Sequence, residues 1–277
     1  MRIAKVLPAI ALSAVTVLWL RMAAAGPESG PDLPAPAAGE TVVILHGLGR
    51  SERSMNKLAD ALAKRGYEVH NLGYASTKAP PESLLEDLDE RIRRCCMAAT
   101  RLHFVGHSLG GILARAWIAR HRPPNMGRLV MLAPPNQGSL LADRFHDRWP
   151  VSSIMGPALE ALGTEALSLP KTLPPPDYPV GIIAGTGTIN PLGTLLIPGE
   201  DDGIISICAT QLEGAADFLI VDDSHALIMR SREVAENTAA FLATGSFLHA
   251  QPDAVPDCPP RPPEAPAEDV PPGEESG

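Results

Sequence analysis

The sequence lacks a stripe of basic residues interleaved with aromatics, and aromatics make up only 4% of it. Nucleic acid is therefore excluded as a partner. It has no internal repeat, and 277 residues suit one large domain with some extra segments. No cluster of His, Cys, Asp or Glu has metal-ligand spacing, so neither a metal nor a cofactor is expected. Charge of one sign is scarce outside the C-terminus. The formal charge is −9, and residues 250–277 hold seven acids against one arginine, which accounts for −6 of it. The remaining −3 says little about partners. Long apolar runs are also missing. The longest, Val6 to Leu20, spans 15 mostly apolar residues, against about 20 for a membrane-spanning helix.

That run has a positive start, Arg2 and Lys5, and is followed by Ala23-Ala24-Ala25, a small-residue cleavage pattern. Residues 1–25 therefore read as a secretory signal peptide, with export across the inner membrane to the periplasm or the medium. An uncleaved N-terminal anchor, and membrane association through it, is the alternative, since Arg21 interrupts the pattern. Residues 26–39 are rich in Pro, Ala and Gly and read as a linker. Residues 249–277, dominated by Pro, Glu and Asp, read as a disordered tail.

Between them, residues 40–248 alternate apolar strands with amphipathic helices. Strands are predicted at Thr41–Leu45, Tyr67–Leu72, Leu102–Val105, Arg128–Ala133, Val180–Ala184 and Asp217–Val221. Helices are predicted at Ser54–Lys64 with Ser54 as its cap, from Pro80-Pro81 onward, from Ile112 to about His121, and at Ser231–Leu242. This order implies an α/β fold, a mostly parallel central sheet with helices on both faces. Residues 139–178 are irregular and sit between two core strands, where a short lid-like insertion belongs.

One stretch organises the rest. Leu102 to Val105 is a strand, Gly106-His107-Ser108-Leu109-Gly110 matches G-x-S-x-G, and Ile112 onward is a helix. Strand, tight turn and helix is the context in which that motif exposes a nucleophilic serine. Side chains two positions either side of the serine would clash, hence Gly106 and Gly110.

A serine hydroxyl needs a base, and the base needs an orienting acid. Of eight histidines, His225 alone follows the last strand across a short loop. Asp202 lies beyond the strand that follows the irregular region, giving the chain order Ser, Asp, His. Asp201 is adjacent and takes the role if the register is off by one. Asp222 and Asp223 are too close to His225 in sequence to reach its ring, and one of them is available to cap the final helix. For the negative oxygen of a tetrahedral intermediate, the donors expected are the backbone N–H groups of Leu109 and Leu48. The latter lies in the turn His46-Gly47-Leu48, which His46 is expected to brace.

Together these residues resemble the α/β-hydrolase superfamily, on its lipase and esterase side, over about residues 41–247. The matching pieces are His46-Gly47-Leu48, the Gly106–Gly111 elbow, Pro134-Pro135-Asn136-Gln137-Gly138-Ser139, Asp202-Gly203 and Ser224-His225. They look like bacterial triacylglycerol lipases and hydrolases similar to GPI inositol-deacylases. The resemblance implies Ser108, Asp202 and His225 as a triad, and cleavage of carboxylic esters through an acyl-enzyme on Ser108. A small-molecule or lipid ester is the implied substrate. The same triad acting on a phospholipid, thioester or amide, or a non-catalytic envelope binding module on this fold, are the alternatives. The chain departs from the larger lipases by lacking their first two strands and a long two-helix lid, so a minimal version of the fold is expected. The calcium site of some lipases is not carried over. For the cysteines, Cys95, Cys96, Cys208 and Cys258, the expectations are a buried thiol in the adjacent pair, or a bridge from that pair to Cys208 or Cys258.

Overall fold

Six segments of aliphatic and β-branched residues form the sheet of the computed structural model, which describes residues 31–249 and Cys258. They are β1 (Glu40–Leu45), β2 (Glu68–Leu72), β3 (Arg101–His107), β4 (Met126–Leu132), β5 (Val180–Gly185) and β6 (Asp217–Val221). Every pairing is parallel, in the order β2-β1-β3-β4-β5-β6. The α-helices among the described residues are α1 (Asn56–Lys64), α2 (Pro81–Cys96), α3 (Leu109–His121), α4 (Leu140–Phe145), α5 (Val151–Met155), α6 (Leu169–Thr172), α7 (Pro191–Thr194), α8 (Ile207–Thr210) and α9 (Arg232–Thr244).

The strands read as continuous apolar runs because both faces of the sheet are covered. Val43, Leu45, Phe104 and Met131 point into one core layer, where α2 and α3 pack. Their neighbours Val42, Ile44, Val105 and Val130 point into the other, against α1 and α9. Burying each such side chain contributes about 2 kcal/mol. This is the α/β architecture expected from the alternation of elements. In such sheets ligands bind beyond the carboxyl ends of the strands, so the loops there are where a site is expected.

Local corrections follow from turns. A 3-10 turn, Glu52–Met55, precedes α1, so Ser54 lies inside that turn and its hydroxyl donates to the Ser51 carbonyl at 2.7 Å instead of capping the helix. A second 3-10 turn, Ile228–Arg230, separates β6 from α9, which has Ser231 at its N-cap position. Asp222 and Asp223 therefore lie too far upstream to cap it. Pro80 and Pro81 open α2 as the fixed φ of proline requires.

The cysteines pair differently from either expectation. Cys95 bonds to Cys96, and Cys208 bonds to Cys258, leaving no free thiol among the described residues. The reason is position in the sheet. The Cys95–Cys96 pair ends α2, which packs on β1 and β2 at one side, whereas Cys208 is in α8, which packs on β5 toward the opposite edge. Two residues of the stretch read as a tail are tied to the domain: Cys258 by its disulfide, and His249 by a 3.1 Å contact with Asp217. The rest of that tail, the signal or anchor segment and the first part of the linker lie outside the described residues. Residues 31–39 hold no helix or strand before β1 begins at Glu40. No helix among the described residues is long and apolar enough to cross a membrane.

Candidate active site

The turn between β3 and α3 holds Ser108 at φ 52°, ψ −122°, a left-handed conformation that only strong local constraint sustains in a non-glycine residue. The constraint comes from close approach of backbone. A Cβ on Gly106 would lie 2.4 Å from the Gly111 nitrogen, and one on Gly110 would lie 2.4 Å from the Leu45 carbonyl oxygen. Only glycine fits either place. The Ser108 N–H donates to the Leu132 carbonyl at 2.8 Å, which ties the turn to the end of β4.

His225 lies on the loop after β6, and Asp202 lies on the loop beyond β5. Their side chains meet: His225 Nδ1 and Asp202 Oδ2 are 2.7 Å apart. Both residues are buried, with exposures of 9% and 2%. The backbones are joined as well, the His225 N–H donating to the Asp202 carbonyl at 3.0 Å. The second carboxylate oxygen of Asp202 accepts from the amides of Ile204 and Ile205 at 3.0 and 2.7 Å. The carboxylate is thereby fixed from two sides. Asp201, the alternative acid, turns away and accepts from Thr194 Oγ1 and the Gly203 amide.

Ser108, Asp202 and His225 line one cavity of about 900 Å³. Among the described residues no hydrogen bond joins the Ser108 hydroxyl to the His225 ring. A large apolar part of the remaining wall comes from the 139–178 segment, through Phe145, Ile154, Met155, Leu159 and Leu162, beside residues 48–50, 74–78, 189–190 and 204–205. That segment is built from α4, α5, α6 and a 3-10 turn, Glu160–Leu162, each too short to be stable alone.

The Gly47-Leu48 turn packs directly on the serine, since a Cβ on Gly47 would lie 3.3 Å from Ser108 Cβ. Among the described residues neither the Leu48 nor the Leu109 amide donates to a protein acceptor. His46 braces this turn. Its Nδ1 donates to the Gly47 carbonyl at 2.9 Å, its Nε2 accepts from the Tyr74 amide at 3.3 Å, and its ring stacks on Tyr74 at 4.2 Å. The Tyr74 hydroxyl in turn donates to the His46 carbonyl. Burial lowers the pKa of His46, in keeping with a neutral ring that donates at one nitrogen and accepts at the other.

A family model described as the alpha/beta hydrolase fold matches residues 40–157. No curated protein matches the sequence significantly. Among solved structures, the mature form of a Bacillus licheniformis lipase superposes with a TM-score of 0.57 at 19% identity, over 79% of this chain and 97% of the lipase. A metagenomic carboxyl esterase gives 0.56 at 18% identity, over 80% of this chain and 76% of the esterase. A phospholipase from Legionella pneumophila gives 0.55 at 17% identity, over 74% of this chain and 58% of the phospholipase. The chain has the α/β-hydrolase fold.

Within this hydrolase fold, two buried polar residues without a local sequence signal support the cavity. His107, the residue before the serine, donates from Nε2 to the His225 carbonyl at 3.0 Å, and its ring lies 4.8 Å from that of His225. Burial, followed by the nearby His225 and Arg50, holds its pKa well below the usual histidine value. Arg115 of α3 donates to Asn136 Oδ1 at 2.8 Å, and Asn136 Nδ2 donates to the Thr210 carbonyl at 2.8 Å. The Asn136-Gln137 piece of the hydrolase resemblance thus ties the β4 exit loop to α8, at the end of the loop that carries Asp202. Among the described residues the ligand atoms of His70, Cys95 and Cys96 lie within 4.8 Å of one another. The two sulfurs are bonded to each other, and none of the three residues lines the cavity.

Proposed function

We propose that this chain is a serine hydrolase that cleaves carboxylic esters through an acyl-enzyme on Ser108. The observation that carries this reading is the 2.7 Å contact between His225 and Asp202 in the cavity that Ser108 also lines. His225 Nε2 takes the proton of the Ser108 hydroxyl as the oxygen attacks the ester carbonyl. Asp202 keeps the other ring proton on Nδ1 and stabilises the imidazolium that forms. The negative carbonyl oxygen is met by the N–H groups of Leu48 and Leu109, each worth roughly 3–4 kcal/mol of transition-state stabilisation. Collapse of the intermediate expels the alcohol, which takes its proton from His225, and water then releases the acid by the same route. The hydrogen bond from Ser108 to His225 forms on substrate binding, as catalytic hydrogen bonds often tighten only in the substrate complex.

The lipase, esterase and phospholipase structures that share the fold support ester hydrolysis as the reaction class. The apolar wall from residues 139–178 suits the acyl chain, and a lipid or small-molecule ester is the proposed substrate. Ser108→Ala should lower kcat/KM toward short p-nitrophenyl esters by about 10⁴-fold or more. Hydrolysis by the variant at the wild-type rate would show that another mechanism operates.

A further inference from the structure

Three charged side chains line the cavity: Arg50, Lys78 and Asp202. The one acid among them is committed to His225 and to two backbone amides. Two cations are left facing the same space, in a chain whose formal charge is −9. Both are exposed, and among the described residues neither has a carboxylate partner. Arg50 follows the Gly47-Leu48-Gly49 turn, and its Nη2 makes one long hydrogen bond, 3.4 Å, to the carbonyl of Ala226. Ala226 is the residue after His225. Of the five N–H donors of a guanidinium, the others remain free for a ligand.

We infer that the site takes acyl esters whose alcohol portion carries an anionic group, and that Arg50 is the residue that reads that charge. This inference rests on the acyl-enzyme reading above. In that chemistry the leaving oxygen takes its proton from His225, so the alcohol lies against the imidazole and its neighbours, and the acyl chain occupies the rest of the cavity. The guanidinium anchored one residue beyond His225 therefore borders the alcohol, with Lys78 adding positive potential across the same cavity. The apolar side chains of residues 139–178 border the acyl chain. A phosphate or a carboxylate supplies the same complementary chemistry, bidentate to the guanidinium.

The test compares three esters of dodecanoic acid: the ethyl ester, the lactate ester, which carries a carboxylate, and 1-dodecanoyl-glycerol 3-phosphate. The wild type should favour at least one anionic ester over the ethyl ester by about tenfold in kcat/KM, the worth of one charge-assisted hydrogen bond. The arm that shows the preference identifies the anion. In Arg50→Gln the ratio of anionic to neutral should fall to about one, through a rise in KM for the anionic ester, with Arg50→Lys in between. A purely structural Arg50 would change kcat for all three esters alike and leave the ratio intact. A wild type without anionic preference, or a preference that survives Arg50→Gln, overturns the inference. Calorimetry on Ser108→Ala, comparing dodecyl phosphate with dodecanol, reads the same selectivity without turnover. Equal affinities there would also overturn it. Failure of the wild type to cleave any of the three esters counts against the acyl-enzyme reading alone.

Discussion

On one wall of the cavity, Ser108 stands at φ 52° between two glycines that no other residue can replace, and the turn opposite it is held by the stacked pair His46 and Tyr74. On the other wall, Ile154 is 64% exposed and belongs to a helix of five residues. The first wall is carried by the ends of β1 and β3, adjacent inner strands of the sheet. The second is a surface excursion between β4 and β5. The contrast separates the two tasks of a hydrolase site. Under the proposed function, chemistry belongs where backbone meets backbone, and substrate preference where side chains line a short-helix segment that tolerates change.

A methyl group placed on the first wall should break it. Gly110→Ala puts a Cβ 2.4 Å from the Leu45 carbonyl oxygen and 2.6 Å from that of His46, neither of which can yield without moving β1. A loss of about 3 kcal/mol or more is expected in urea unfolding. A variant that unfolds at the wild-type urea concentration would mean that the elbow is not constrained by backbone.

Acid should destabilise the sheet that carries this wall. His46, His103 and His107 are all buried and held neutral, with burial the leading cause for each, and the pKa of His103 is driven to about 3. Their folded values lie below 6.5, so the unfolded chain binds protons that the folded chain refuses. The stability they contribute is complete above pH 6.5 and declines as the pH falls below it, for His103 as far as about 3. Each group contributes up to about 1.4 kcal/mol per pH unit in that range. Urea unfolding should therefore show at least about 2 kcal/mol less stability at pH 5 than at pH 7. A flat profile would mean that these rings are hydrated or charged at neutral pH.

The second wall should respond in preference and not in stability. Ile154→Ala is expected to change stability by less than about 0.5 kcal/mol. It should lower the ratio of dodecanoyl to butanoyl ester cleavage by about threefold, through lost apolar contact with the longer chain. A drop in stability with unchanged chain preference would place Ile154 in the fold and not in the acyl site.

The same division explains what was legible in the sequence. Gly106, Ser108 and Gly110 announce themselves because their constraint is local: strand, turn and helix lie within a few residues. The strands are legible because burial on both faces leaves unbroken apolar runs. The choice between Asp201 and Asp202 rests on a contact 23 residues away, at His225, and chain order alone left both open. His107 and Arg115 carry no local signal, since their partners, His225 and Asn136, lie 118 and 21 residues along the chain. Cysteine pairing was illegible for the same reason, and adjacency of Cys95 and Cys96 hid a bond between neighbours. Ser54 was misplaced because a 3-10 turn and a helix begin with similar residues.

Activation of the Ser108 hydroxyl by His225 is the step on which the proposed function depends. Reaction with a fluorophosphonate probe, followed by peptide mass analysis, tests it without knowledge of the natural ester. The wild type should carry a single adduct on Ser108, Ser108→Ala none, and a folded His225→Gln should react at least about 100-fold more slowly, the usual contribution of a general base. A folded wild type left unmodified at Ser108, or His225→Gln labelled at the wild-type rate, would contradict it.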